Sequence, residues 1–250
     1  MNLRLFVSLP LCEGSDVSLP AGPARHAQVR RVQPGDTVLL FDGRGQDWPA
    51  TVLAMGKAEV RVRVGSPLAV LRELPWPVTL ALAMPANERM DTLVEKATEL
   101  GATQIQPLHT ERSVLRLQGD RAERKREHWQ AIAQSACEQC GRAVVPQVAP
   151  VAALATWLQG MPPASAGQRL LLSLAPGAHD LAAWGLPAAS GTPLVTLSGP
   201  EGGLTDDEEA SARSAGFQGT RLGPRVLRAE TAPLAVLAWL ALQPSGIDGN

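Results

Sequence analysis

Two glycine-rich segments in the C-terminal half of the chain hold the residue types that could do chemistry. The first, residues 198–203, ends an apolar strand with three glycines and one glutamate. The second, residues 222–233, follows another predicted strand and places two arginines and a glutamate just ahead of an apolar helix. Open α/β sheets bind ligands beyond the carboxyl ends of their strands, and glycine lets a ligand approach the backbone. The pattern predicts a ligand site, although a plain strand-to-helix turn explains the first segment equally well on spacing alone.

The motifs that bind phosphorylated cofactors are missing. No G-x-G-x-x-G follows a first strand and no G-x-x-x-x-G-K-[ST] occurs, and Gly43-Arg44-Gly45 is typical of a hairpin turn. Cys137 and Cys140 form a C-x-x-C near the end of a predicted helix, without the second pair that a zinc ribbon needs. We therefore expect a cofactor that carries no phosphates, no metal, and a packing role for the two cysteines.

The composition is that of an ordinary globular protein. Hydrophobic residues make up 45% of the chain and charged residues 19%, and the formal net charge of -1 requires any RNA site to be a local patch. The three cysteines are too few for a disulfide scaffold. We found no secretion signal at the start and no apolar run of 18 residues, so we expect a cytoplasmic protein that is not embedded in a membrane.

A proline-containing stretch at 65–77 separates two kinds of pattern. Before it, a predicted strand at 37–42 and the alternation of Val60, Val62 and Val64 with arginines indicate a small barrel-like β domain. After it, apolar strands alternate with helices, which predicts an α/β domain with a mainly parallel sheet. The predicted strands of this domain lie at 78–83, 105–108, 169–174 and 194–198, with a short one that ends at Leu222.

The helices of the second domain have clear limits. One follows the first strand and ends at Gly101, and an amphipathic helix at 120–140 ends at Gly141. Thr205 and Glu208 have the spacing of a capping box and start another helix. The last helix, about 232–242, is apolar nearly all round, which predicts burial in the core or against a second subunit.

Taken together, the two glycine-rich segments resemble a known family. The sequence S-G-P-E-G-G at 198–203 with L-G-P-R-V-L-R-A-E-T-A-P at 222–233 is similar to the bacterial 16S ribosomal RNA uracil-N3 methyltransferases of the SPOUT class. Further segments match in order: 4–6, 26–36, 41–43, 95–101, 111–114 and 138–142. One departure is the segment 84–87, Met-Pro-Ala-Asn, where such proteins often carry a lysine.

The resemblance implies both an architecture and an activity. Residues 1–70 would form a PUA-like β-barrel that binds RNA, and residues 77–250 a SPOUT-type α/β knot domain with a C-terminal trefoil knot. The implied enzyme is a homodimer that uses S-adenosyl-L-methionine to methylate N3 of a specific uridine in 16S ribosomal RNA. Its substrate would be the free RNA or the assembled small ribosomal subunit.

Site residues follow from the matching motifs. Uracil N3 must lose a proton while negative charge develops on the base, so a carboxylate and an arginine suit the reaction. We expect Arg228, Glu230 and Glu201 to be catalytic, although Glu230 is also explained as an acid at a helix start and Arg228 as its ion-pair partner. The expected cofactor-binding residues are Leu172, Leu174, Ser198, Gly199, Pro200, Gly202, Gly203, Leu222, Gly223, Arg225, Val226, Leu227 and Thr231.

Local charge indicates where RNA would bind. Residues 112–126 contain six basic and two acidic residues, a local excess of four positive charges, although a solvated helix face explains this run about as well. A second basic group lies in the small domain. The expected RNA-binding residues are Arg25, Arg30, Arg31, Arg112, Arg116, Arg121, Arg124 and Lys125.

Three other functions fit parts of the pattern. A related knotted methyltransferase could act on transfer RNA, for instance at a ribose hydroxyl, but the matching N-terminal domain favours the ribosomal enzyme. A catalytically silent protein for RNA binding or ribosome assembly would not need the intact glycines of both loops. A nicotinamide-dependent dehydrogenase would need the phosphate motif that is missing.

Overall fold

The computed structural model describes residues 3–56, 59–85, 89–187 and 189–243. The chain forms two compact units, of which the first comprises Met1–Glu73 and Gln134–Val145 and the second comprises Leu74–Ala133 and Pro146–Asn250. The chain first passes from one unit to the other between Glu73 and Leu74, within the predicted linker. No local pattern indicates that the chain returns to the first unit at Gln134, because residues 134–140 continue the amphipathic pattern of the long helix.

The first unit is a small, mainly antiparallel β structure. Its sheet order is β1-β3-β4-β5-β2, with β6 paired to β4, and only the β1–β3 pair is parallel. The valines of β5 are buried and its arginines exposed, as the alternation predicted. The elements are β1 (Arg4–Phe6), β2 (Asp16–Ser18), α1 (Ala21–Val29), β3 (Thr37–Phe41), β4 (Gln46–Met55), β5 (Val60–Val64) and β6 (Leu68–Ala69).

Arg4 and Phe6 of β1 connect the two separate parts of the first unit. Arg4 Nη2 donates to Asp47 Oδ1 at 2.6 Å, and Arg4 Nη1 donates to the carbonyl of Cys137 at 2.7 Å. The carboxylate of Glu138 accepts a hydrogen bond from the backbone N–H of Phe6 at 2.8 Å. These contacts explain why residues 134–145 belong to this unit.

The second unit is an α/β structure whose described strand pairs are all parallel. The sheet order is β10-β8-β7-β13-β11-β14-β12, with β9 paired to β8. Its elements are β7 (Val78–Ala83), α2 (Arg89–Glu99), β8 (Gln104–His109), α3 (Gly119–Cys140, whose last turns count with the first unit), β9 (Gln147–Val148), β10 (Ala152–Ala153), α4 (Leu154–Gln159), β11 (Gln168–Leu172), β12 (His179–Asp180), α5 (Leu181–Trp184), β13 (Leu194–Ser198), α6 (Asp206–Ser214), β14 (Gln218–Arg221) and α7 (Thr231–Ala241).

The strand and helix predictions for this unit are confirmed, with shifts of one to three residues at several ends. The capping box of α6 is formed: the N–H of Glu208 donates to Thr205 Oγ1 at 3.2 Å, and the N–H of Thr205 donates to Glu208 Oε2 at 2.9 Å. Helix α7 buries Pro233, Val236, Leu237 and Leu240 and leaves its other residues at least partly exposed. Among the described helices, none is long and apolar enough to cross a membrane.

Candidate active site

Three neighbouring strands end at one edge of the sheet and bring three loops together. In the strand register Leu172 of β11 pairs with Ser198 of β13 on one side and with Thr220 of β14 on the other. Because these strands are parallel, the loops that follow them leave the sheet on the same side. They enclose a cavity of about 560 Å³, which is within the usual range for small-molecule sites.

The loop after β13 is a tight turn with little room for a side chain at its start. The N–H of Gly203 donates to the carbonyl of Pro200 at 2.8 Å, and Gly203 has a φ of +70°. A Cβ atom at Gly199 would lie 2.8 Å from the backbone N of Leu204. Arg112 holds the loop from outside, because its Nη1 donates to the carbonyls of Gly202 at 2.9 Å and Leu204 at 3.1 Å.

The loop after β14 carries two exposed arginines into the cavity wall. Gly223 has a φ of +81°, and the carbonyl of Arg228 accepts hydrogen bonds from the N–H groups of Thr231 at 2.9 Å and Ala232 at 3.1 Å. The loop therefore runs directly into the first turn of α7. Within the described residues, neither Arg225 nor Arg228 forms an ion pair. The alternative explanation of Arg228 as the ion-pair partner of Glu230 is wrong.

The two candidate carboxylates meet at a residue that the sequence did not indicate. Glu201 accepts a hydrogen bond from Arg89 Nη1 at 3.0 Å, and Arg89 Nε lies 3.9 Å from Glu230 Oε1. Glu230 is the N-cap residue of α7 but makes no side-chain capping bond, and its Oε2 atom is buried without a hydrogen-bond partner among the described residues. The arrangement leaves a carboxylate oxygen of Glu230 able to accept a proton or a hydrogen bond.

Two further polar side chains, Ser198 and Glu209, line the cavity. Ser198 is 3% exposed, and its Oγ atom is buried without a hydrogen-bond partner among the described residues. Glu209 of α6 lines the wall, accepts a hydrogen bond from Ser173 Oγ at 2.8 Å and pairs with Arg213 at 2.9 Å. Hydroxyl and carboxylate groups of this kind fix the orientation of a ligand in a pocket.

Most of the predicted site residues lie on this cavity. Every expected cofactor-binding residue except Gly223 and Thr231 lines it, as do Glu201 and Arg228, whereas Glu230 is not among the lining residues. Some wall residues were not indicated by the sequence, because the local pattern of strands, loops and helices already explained them: Ser173, Leu204, Glu209, Thr220, Arg221, Ala229 and Ala232.

Arg221 is one of the wall residues that the sequence did not indicate, and its charge is paired with a carboxylate. Its guanidinium donates to Asp180 at 2.7 and 3.2 Å across the β12–β14 pair. This hydrogen bond holds the pKa of the Asp180 carboxyl below its ordinary value. Arg221 therefore contributes less free charge to the cavity than Arg225 and Arg228 do.

The expected RNA-binding residues fall into two groups. Arg25, Arg30 and Arg31 are exposed in the first unit. Of the second group, Arg121 and Arg124 are exposed and Lys125 is partly exposed on α3, while Arg112 and Arg116 donate to backbone carbonyls. Arg126 pairs with Glu123 on the same helix, and this contact lowers the pKa of Glu123. The free positive charge of this region is therefore concentrated on Arg121, Arg124 and Lys125.

The cysteines and the acidic residues give no metal site in the described residues. No group of three His, Cys, Asp or Glu side chains there has the arrangement to hold a metal ion. Cys137 is fully buried, and its Sγ atom donates to the carbonyl of Val144 at 3.5 Å. The pKa of the Cys137 thiol is raised, mainly by its hydrogen bond with Cys140 and further by burial. The raised pKa supports the packing role.

The cavity belongs to a chain that matches two family models. Residues 72–241 match an RNA methyltransferase domain, and residues 23–65 match an RNA methyltransferase PUA domain. These matches agree with the parallel α/β second unit and with the β structure of the first. The protein is an RNA methyltransferase with an N-terminal PUA domain.

Individual relatives show which family of RNA methyltransferases the chain belongs to. The ribosomal RNA small subunit methyltransferase E of Synechocystis sp. is 38% identical over 95% of this chain and 77% of its own length, and that of Bacillus subtilis is 31% identical over 99% of both. A crystal structure of a protein of the same name from Neisseria gonorrhoeae, bound to S-adenosyl methionine, has a TM-score of 0.87 and 38% identity and covers 96% of this chain and 97% of that one. The chain belongs to the ribosomal RNA small subunit methyltransferase E family. The resemblance, the α/β class and the enzyme class predicted from the sequence are confirmed.

Proposed function

We propose that this protein transfers the methyl group of S-adenosylmethionine to N3 of one uridine in the 16S RNA of the small ribosomal subunit. The observation that carries the proposal is the cavity that the loops after β11, β13 and β14 form together, with two arginines at its wall that form no ion pair among the described residues. Family membership supports RNA as the substrate, and the 38% identical structure with S-adenosyl methionine supports the cofactor.

The cavity has the chemistry that this cofactor needs. Its volume of about 560 Å³ suits a nucleoside-sized molecule. The leucines and Val226 offer apolar contacts for an adenine ring, the backbone of the glycine loop can be approached closely, and the unpartnered Ser198 hydroxyl can bond a polar group of the ligand. When bound, S-adenosylmethionine supplies a methyl group activated by a positively charged sulfur. Gly223 and Thr231 do not line the cavity, so they support the shape of the second loop in this proposal.

The residues of the site divide the remaining work. The N3–H proton of uracil passes to a carboxylate, for which Glu230 has a free buried oxygen and Glu201 is the other candidate. Arg228, with Arg225 beside it, stabilises the negative charge that develops on the uracil carbonyl oxygens as N3 loses its proton. The loops also position the uracil ring against the methyl group. This positioning lowers the activation barrier, so the proton acceptor need not be strongly basic.

The parts outside the cavity have proposed roles as well. The exposed basic residues of α3 and of the PUA domain bind RNA phosphates, with the 16S RNA or the assembled subunit as partner. We further propose a homodimer, because α7 is apolar on more sides than this chain buries, together with a cytoplasmic location and a C-terminal trefoil knot.

A transfer assay tests the proposal against its alternatives. The purified protein is incubated with methyl-labelled S-adenosylmethionine and either small subunits, free 16S RNA or transfer RNA, and the labelled nucleoside is identified by mass spectrometry. We expect N3-methyluridine in 16S RNA and a slowed rate with near-normal RNA binding for Arg228→Ala. A methyl group on a ribose or on transfer RNA would replace the proposal with the related knotted enzyme, and binding of the cofactor without transfer would indicate a silent RNA-binding protein.

A further inference from the structure

Arg89 is the residue that connects the two candidate carboxylates of the site. It lies at the start of α2, Glu201 lies on the loop after β13, and Glu230 precedes the first turn of α7. One guanidinium donates a hydrogen bond to Glu201 at 3.0 Å and has its Nε atom 3.9 Å from Glu230. The planar fork of arginine can face two carboxylates at once, which a lysine ammonium on a flexible stem does less well.

The two carboxylates depend on Arg89 in different degrees. Glu201 is hydrogen-bonded to it, whereas Glu230 only lies close to it and has an Oε2 atom with no hydrogen-bond partner in the part of the chain that the structure describes. Two negative groups brought near each other repel unless a positive group lies between them. Removing the guanidinium would therefore let both side chains move away from their present positions.

The backbone of the glycine loop does not rely on Arg89. Arg112 holds that backbone through the carbonyls of Gly202 and Leu204, and the turn closes through the hydrogen bond from Gly203 to Pro200. Arg89 contacts only the Glu201 side chain of this loop. The structure thus separates the shape of the cofactor cavity from the orientation of the carboxylates.

We propose that Arg89 is a positioning residue for methyl transfer, which acts through Glu201 and Glu230 and not through cofactor binding. The inference rests on the proposed function of the same site. It predicts that the loss of Arg89 lowers the rate of the chemical step, whereas the loss of Arg112 lowers the affinity for the cofactor.

Three variants and one control test this separation. Arg89→Met should lower the single-turnover rate by about a hundredfold, the scale of misplacing a reacting group, with the Kd for S-adenosylmethionine within about threefold of wild type. Arg89→Lys should recover part of the rate because it restores the charge. Arg112→Met should weaken cofactor binding by about tenfold or more. The control Lys96→Met removes ion pairs to Glu95 and Glu99 on the same helix and should change neither quantity.

A double variant shows whether Arg89 acts through the carboxylate. If it does, Arg89→Met combined with Glu201→Gln should lose no more rate than the worse single variant, because both changes remove the same ion pair. Additive losses, an unchanged rate in Arg89→Met, or an equal loss of cofactor affinity in that variant would overturn the inference. A wild-type protein that methylates no RNA would instead overturn the proposed function, so the two failures are distinguishable.

Discussion

Replacing Gly199 by alanine tests whether the loop after β13 is as tightly built as its geometry indicates. A Cβ atom at this position would lie 2.8 Å from the backbone N of Leu204, 3.0 Å from the carbonyl carbon of Gly203 and 3.2 Å from its Cα atom. All three neighbours are backbone atoms, so no flexible side chain can move aside. The turn itself has to open, and the loop then moves relative to the cavity that it lines.

The distances set the size of the effect. The contact with Leu204 is about 0.6 Å shorter than the 3.4 Å at which ordinary van der Waals contact begins. Inserting one carbon atom into a well-packed place typically costs about 1–3 kcal/mol. We expect a loss of this size in the free energy of unfolding. Because the cofactor would meet a displaced loop, we also expect at least a tenfold weaker Kd, equivalent to about 1.4 kcal/mol.

Gly202→Ala is the matched control in the same loop. A Cβ atom there would meet the side chain of Arg112 at 3.6 Å, an ordinary contact. Urea denaturation measures the free energy of unfolding of both variants, and calorimetric titration measures their affinity for S-adenosylmethionine. Equal stability and equal affinity for the two alanine variants would refute the reasoning that close backbone packing at Gly199 shapes the site.

Four further predictions follow from other parts of the structure. Ser198→Ala should leave the free energy of unfolding nearly unchanged, because it removes a buried hydroxyl that has no partner, yet weaken cofactor binding by about 1 kcal/mol in calorimetry. Equal binding would mean that this hydroxyl does not contact the ligand. Changing Arg121, Arg124 and Lys125 of α3 together to alanine should lower the slope of RNA affinity against salt by about two and leave the affinity for the cofactor unchanged. An unchanged slope would indicate that this helix face is only solvated. In the native protein, iodoacetamide at pH 8 should modify the exposed Cys12 and leave Cys137 unmodified. The reason is that the contact with Cys140 and burial raise the pKa of the Cys137 thiol. Rapid labelling of Cys137, measured by peptide mass spectrometry, would contradict this. Sedimentation at micromolar concentration should show a dimer, and an active monomer would remove the proposed role of the apolar α7 surface.

The sequence by itself determined the elements and the two principal loops of the site. Periodicity fixes which side of a helix or strand is apolar, and capping and glycine signals fix where helices begin and end, because these effects act within a few residues of the chain. The strand at Val78–Ala83, the capping box at Thr205 and the stop at Gly141 are of this kind. The family resemblance also came from short segments that keep their order along the chain.

Only the tertiary structure decided which distant groups meet. Arg89 and Glu201 are 112 residues apart, and neither helix periodicity nor loop composition relates them. Their contact depends on the strand order, which places β13 between β7 and β11 and so brings the start of α2 beside the glycine loop. Ser173 and Glu209 were missed for the same reason, since each is locally explained as a strand end or a helix-start acid. Local sequence patterns encode interactions within an element, whereas the pairing of strands and the packing of side chains between elements fix the partners of a charged group.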